Sequence, residues 1–202
     1  MKKFIMTSPY QPKGSLKKQL YEAVDNQTLS YAFPTSFPII TAINGYVEKG
    51  EEIELITIVA EYENAEYHYE LLKNEIEDLS KKKGFRYRKP REVRVPYNNA
   101  INTELELFGK LIDCTSDGDT LYTCITYGSK PFPLIQIMAL NYAYRIRKNV
   151  SIGCIVYGEL EHNNNKGKVY DITSLLYIDE AVRLFAEQKI KNPTDLIKNL
   201  LK

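Results

Sequence analysis

Tryptophan is absent from this chain of 202 residues, and the residues that usually build metal sites are scarce, with three cysteines and two histidines. Cys114, Cys124 and Cys154 stand far apart with no C-x-x-C pair, and His68 and His162 cannot complete a structural zinc site at the usual spacing, so no metal is expected. The odd thiol count and the lack of a signal peptide favour a reducing cytosol. No apolar run is long and uninterrupted enough to span a bilayer, which argues against membrane contact. A formal charge of +1 and a pI near 7.6 provide no global field for long nucleic acid or an anionic membrane, so any anion site must be local. The glycine fingerprints G-x-G-x-x-G and G-x-x-x-x-G-K-[ST] are missing, which disfavours a dinucleotide coenzyme or a P-loop triphosphate, and no cofactor is expected. Without a G-x-S-x-G elbow, a Ser-His-Asp hydrolase has little support.

What is present is ordinary for a globular protein, with 44% hydrophobic and 26% charged residues. The length suits one well-buried domain. The pattern predicts a short buried strand over residues 3–7, an amphipathic helix over 15–26 with Leu16, Leu20, Tyr21 and Val24 on one side, and a second helix over 37–46. A strand over 52–60, a helix over 64–83 closed by Gly84, a strand ending at Tyr97 and a helix over 103–114 follow. The turn at 116–119 starts a strand over 121–126. Then come a helix over 132–148, a strand over 150–160, a polar hairpin-like loop at 162–168, a short extension VYDI, and a helix over 174–188. Alternating strands and helices imply a mostly parallel α/β sheet covered on both faces, that is, a Rossmann-like fold. Residues 1–190 form that domain, and 191–202 a C-terminal helix or linker. The densest basic run, KKKGFRYRKPREVR at 81–94, reads as a solvated helix end and an exposed strand.

In an open parallel sheet, ligands lie beyond the carboxyl ends of the strands, where helix N-termini present free N–H groups. Two loops meet that condition. The first contains Thr7, Ser8, Pro9, Tyr10, Gln11, Lys13 and Gly14; the second is Thr126-Tyr127-Gly128-Ser129-Lys130, ahead of a helix that is apolar almost all round. Both offer donors and neither offers a carboxylate, which suits an anion such as a phosphate. The plainer alternatives stay open: Thr126 and Ser129 as helix caps, Gly128 as a positive-φ residue, Tyr10 and Tyr127 as packing residues, Lys13 and Lys130 as solvated lysines. Asn98 and Asn99 stand at a third strand end and are added to the candidate ligand-binding set.

The segment 124–130, CITYGSK, resembles the D-[IV]-T-H-G-F-R signature of one branch of the CARF domains (CRISPR-associated Rossmann fold) of type III CRISPR systems. Thr126 and Gly128 match it strictly, while Cys124, Tyr127, Ser129 and Lys130 depart from it. VSIGCIVYGELE and VYDITSLLYIDEAVRLF resemble that branch's next strand with its Y-G-x-x-E ending and its D-[IL]-T-x-L helix entry. DGDTLY and KFIMTSPYQ are similar to its acidic turn and its first strand with ligand loop.

The resemblance implies a prokaryotic, cytoplasmic antiviral defence protein. It would be a homodimer whose paired loops surround cyclic tetra-adenylate or cyclic hexa-adenylate, acting as a sensor that controls an effector domain absent from this chain. The alternative within the family is a stand-alone ring nuclease, in which a ribose 2′-oxygen attacks its own phosphorus without a metal. Lys130 or Lys13 would then stabilise charge, and Thr126, Ser129 or Ser8 would orient the reacting groups. The helix over 134–146 would be a dimer contact or a helix buried within the monomer. Outside the family, a Rossmann-like domain binding another nucleotide is the alternative.

Overall fold

A computed structural model describes residues 1–160 and 166–200. Its centre is β1 (Lys2–Thr7), flanked by β3 (Glu52–Glu61) and β6 (Thr120–Cys124), all parallel. On one side of this trio, β4 (Arg86–Tyr87) pairs with the start of β3 and β5 (Arg91–Pro96) with the rest of it. On the other side β7 (Ser151–Leu160) runs parallel to β6, β8 (Lys166–Asp171) antiparallel to β7, and β2 (Leu20–Ala23) parallel to β8 at the far edge. The result is one mostly parallel sheet of eight strands.

Side chains alternate across this sheet, so one strand feeds two cores. Phe4 and Met6 of β1 point into a core shared with α1 (Ile39–Tyr46) and α2 (Ala65–Lys83). Ile5 points the other way, into a core shared with α3 (Ile101–Asp113) and α4 (Pro131–Ile146). Because both faces are covered, β3 is buried without a break from Ile53 to Ala60 rather than at alternate positions. The chain closes with α5 (Ser174–Glu187) and α6 (Thr194–Leu200). Helix α2 stops where its pattern stops: Gly84 takes φ 75 and donates its N–H to the Ser80 carbonyl at 2.8 Å.

At the amino-terminal edge of the strands, Lys3 is buried with two carboxylates, Asp119 at 2.9 Å and Glu54 at 3.4 Å, and donates to the Cys114 carbonyl at 2.6 Å. The basic run at 81–94 is neutralised in part by local carboxylates. Arg88 pairs with Glu52, Arg91 with Glu54, and Arg94 with Glu66 and Glu92, as a solvated charged surface requires.

Residues 15–26 are not a helix. Their apolar positions fit a helix face, yet residues 20–23 form β2, with Tyr21 buried against Gly167 while Leu20 and Val24 stay exposed. A partner strand distant in sequence overrides local helix propensity here. The extension VYDI is part of β8, an antiparallel strand that already includes Lys166, Gly167 and Lys168; the rest of the expected loop, including His162, lies outside the described residues. Helix α4 is apolar on two sides for different reasons. Gln136, Ala139, Leu140 and Ala143 face the core, and Leu134, Met138 and Tyr142 face water.

Candidate ligand-binding site

At the carboxyl ends of β1, β5 and β6 a cleft of about 200 Å³ is lined by Tyr10, Tyr97, Asn98, Asn99, Ser129 and Phe132. Three loops therefore converge, because the sheet order sets β6, β1 and β3 side by side with β5 beyond. The first and second loops, those of Thr7 and of Gly128, touch directly: Gly128 adopts φ +113, and a Cβ placed there would lie 3.0 Å from Thr7 Cγ2. Only glycine serves at such a backbone angle and such a spacing. Beneath them, Gln136 of α4 donates from Nε2 to Thr7 Oγ1 at 2.7 Å and accepts from the Thr123 hydroxyl at 2.9 Å. That buried amide ties the ends of β1 and β6 together.

The first loop is held from the side by the segment that opens α2. Tyr62 donates its hydroxyl to the Pro9 carbonyl. The Nε2 of His68 lies 2.7 Å from the Gln11 carbonyl, and since a carbonyl only accepts, that nitrogen carries the proton. The rings of Tyr10, Tyr62 and Tyr97 meet in edge and tilted pairs with centroids 5.2–5.5 Å apart, and Phe132 closes the floor under Tyr10. Asn98 Oδ1 accepts from the Ala100 N–H at 2.9 Å and from the Thr103 hydroxyl at 2.8 Å, which fixes the entry to α3.

The polar atoms here are underused. The hydroxyls of Tyr10 and Ser129 in the cleft, and that of Ser8 in the same loop as Tyr10, are buried with no hydrogen-bond partner among the described residues, an arrangement that costs free energy unless a ligand or water fills it. Burial, followed by the neighbouring Tyr97 and Tyr62, pushes the Tyr10 phenol well above its ordinary value, so it remains a donor at any physiological pH. No charged side chain lines the cleft. Positive potential comes from its rim, where α3 and α4 both begin and where Lys130 is exposed.

The other expected residues stand elsewhere. Thr126 is turned inward, accepting from the Gly158 N–H at 2.8 Å with Cys124 Sγ at 3.2 Å. Tyr127 is buried against Phe37 and donates to the Ser36 carbonyl at 2.7 Å. Neither Thr126 nor Ser129 caps α4, whose N-terminus has no side-chain cap. Thr7 is buried beneath Gln136, and Pro9 contributes its carbonyl to Tyr62. Lys13 is exposed above the Tyr67 ring at 5.7 Å, and Gln11 accepts from Ser15. Sequence reasoning missed Tyr62, His68 and Gln136. The one usable signal was Gln136, a polar residue on the inward side of an otherwise apolar helix. A wider depression of about 650 Å³ beside the edge strand β2, lined in part by Tyr21, Tyr31 and Lys166, contains none of the expected residues.

Fold and cleft together define a Rossmann-like α/β domain with a small polar cavity at the carboxyl edge of its sheet. No protein-family model matches the chain, and no curated protein matches it. Among the described residues, no helix is long and apolar enough to cross a membrane, and no group of histidine, cysteine and acidic residues could hold a metal ion.

Proposed function

We propose that this chain is a cyclic oligoadenylate-binding sensor domain of the CARF type, working in the prokaryotic cytoplasm as a homodimer in type III CRISPR antiviral defence. The observation that supports it best is the convergence of the first and second loops on one cleft whose Tyr10 and Ser129 hydroxyls are buried without partners among the described residues. A neutral cleft edged by aromatic rings and two asparagine amides suits a nucleobase, which brings one flat apolar face and several hydrogen-bonding edges. The rim suits the phosphate that follows: Lys130 and the N-termini of α3 and α4 can meet an anion without burying a charge inside the cleft. In this reading the effector that receives the signal lies outside residues 1–202.

Binding is better supported than cleavage. Thr126 has its hydroxyl committed to the Gly158 backbone, and the cleft contains no carboxylate, histidine or lysine to act as a general base. Lys130 and Ser129 are the remaining groups with which a ring nuclease could work.

Incubating the purified chain with labelled cyclic tetra-adenylate and cyclic hexa-adenylate, with linear AMP as the control, and resolving the products over time separates the readings. Retention of an unchanged ring is expected; cleavage would install the ring nuclease, and equal indifference to rings and AMP would remove the family reading. Lys130→Ala is expected to weaken retention by roughly 1.5–3 kcal/mol per site if the ammonium meets a phosphate.

A further inference from the structure

Three polar atoms on the α2 side of the sheet are buried and have no hydrogen-bond partner among the described residues: Ser8 Oγ, Thr57 Oγ1 and His68 Nδ1. Their residues are 1%, 0% and 0% exposed, so bulk solvent does not reach them. The strand pattern sets all three on one face. Phe4 and Met6 point toward α1 and α2 while Thr7 points the other way, to Gln136. Ser8 continues that alternation, because its N–H donates to the Ile58 carbonyl at 2.9 Å and so prolongs the ladder of β1 on β3. On β3, Ile53 and Leu55 share a core with α2, and Val59 packs on Ala65 and Tyr69 of the same helix, so Thr57 faces α2 as well. His68 lies on α2 between Ala65 and Tyr69, hence at the level of Val59, and Val59 is the residue that the register sets beside Ser8.

The Gln11 carbonyl settles what the imidazole offers. It accepts from Nε2, so Nε2 carries the proton and Nδ1 is left as a buried acceptor that needs a donor. Each hydroxyl can donate once and accept, yet neither bonds to Nδ1 or to the other. Left so, three buried groups would each bear a desolvation cost that native proteins seldom tolerate.

We propose that one internal water molecule binds between α2 and the carboxyl ends of β1 and β3, donating to His68 Nδ1 and to one of the two hydroxyls and accepting from the other. Three hydrogen bonds are the usual complement of a buried water. An ion does not suit these groups, because all three are neutral and none balances a buried charge. The water lies on the opposite face of β1 from Gln136, so the end of this strand is held by polar contacts on both sides. It also fixes the imidazole whose other nitrogen holds the Gln11 carbonyl, and with it the loop that carries Tyr10. It is required whatever the cleft binds.

An atomic-resolution crystal structure of the full chain is expected to show a density peak within hydrogen-bonding distance of Ser8 Oγ, Thr57 Oγ1 and His68 Nδ1. In solution, deuteron magnetic relaxation dispersion counts long-lived internal waters. Its amplitude is expected to fall by one water in the double variant Ser8→Ala, Thr57→Val, which removes both hydroxyls and nearly keeps the shape of the strands. Nitrogen NMR of the unaltered chain is expected to show His68 protonated at Nε2 and bare at Nδ1 near neutral pH. Side chains bonded directly to one another with no water peak, an amplitude that the double variant leaves unchanged, or a proton on Nδ1 overturns the proposal. Should the double variant fail to fold, the density peak and the tautomer of the unaltered chain decide by themselves.

Discussion

Replacing Gln136 with leucine should cost about 1–3 kcal/mol, and a second substitution should give most of it back. The side chain is fully buried and makes two hydrogen bonds, donating to Thr7 and accepting from Thr123. Leucine keeps the shape and removes both bonds. Thr123 still has the Ile5 carbonyl at 3.2 Å, so it is not left without a partner. Among the described residues the Thr7 hydroxyl has no other partner, and one buried hydroxyl without a bond accounts for the stated loss. Thr7→Val alone strands the amide nitrogen of Gln136 and should cost a similar amount. The double variant strands neither group and should lie within about 1 kcal/mol of the unaltered protein. Urea unfolding followed by far-ultraviolet circular dichroism measures all four corners of this cycle, tryptophan fluorescence being absent. If the two losses simply add, Gln136 is not bonded to Thr7, and the account of how β1 and β6 hold the cleft loops together fails.

Lys3→Met should cost about 1–3 kcal/mol in the same assay, since Asp119 and Glu54 lose their shared cation and keep only the N-terminal ammonium and Arg91 respectively; a loss under about 0.5 kcal/mol would mean that water reaches the cluster. Gly128→Ala should lower stability by roughly 1–3 kcal/mol and weaken cyclic tetra-adenylate retention, because the new Cβ strains a positive φ and presses on Thr7. Gly118→Ala, also at positive φ but with nothing within 4 Å, should lose stability alone; equal binding losses at both positions would place the cleft elsewhere. Cys114, Cys124 and Cys154 are buried, and burial first of all raises each thiol above its ordinary value. Their contribution to stability is therefore complete below the unfolded pKa of about 8.5 and declines above it, by up to about 1.4 kcal/mol per pH unit for each thiol. Native protein at pH 8 should label at none of the three with a disulfide reagent and at all three in denaturant, and fast native labelling at any one would contradict its burial.

Periodicity in the chain was enough for most elements. Residues 52–60 read as a strand, and residues 64–83 as a helix that ends at a glycine, because apolar spacing and backbone angle are local properties. The two loops that flank the cleft were also legible, as polar and glycine-bearing segments between a strand and a helix. Residues 15–26 were not: their pattern fits a helix as well as a strand edge, and only the presence of β8 and the slot above Gly167 decides for a strand. The roles inside the second loop were equally hidden. Thr126 and Tyr127 are adjacent to Ser129 in the chain, yet the turn sends the first two into the β7 backbone and the α1 entry, and leaves Ser129 facing the cleft.

The sequence by itself determined the α/β class, most of the strands and helices and the absence of coenzyme fingerprints, since each follows from residues near one another in the chain. Only the tertiary structure decided that Tyr62 and His68 brace the first loop, that Gln136 bridges β1 and β6, and that the Tyr10 and Ser129 hydroxyls share one cleft without partners. Those facts depend on which strand lies beside which, and strand order is set by packing between segments that are distant in sequence.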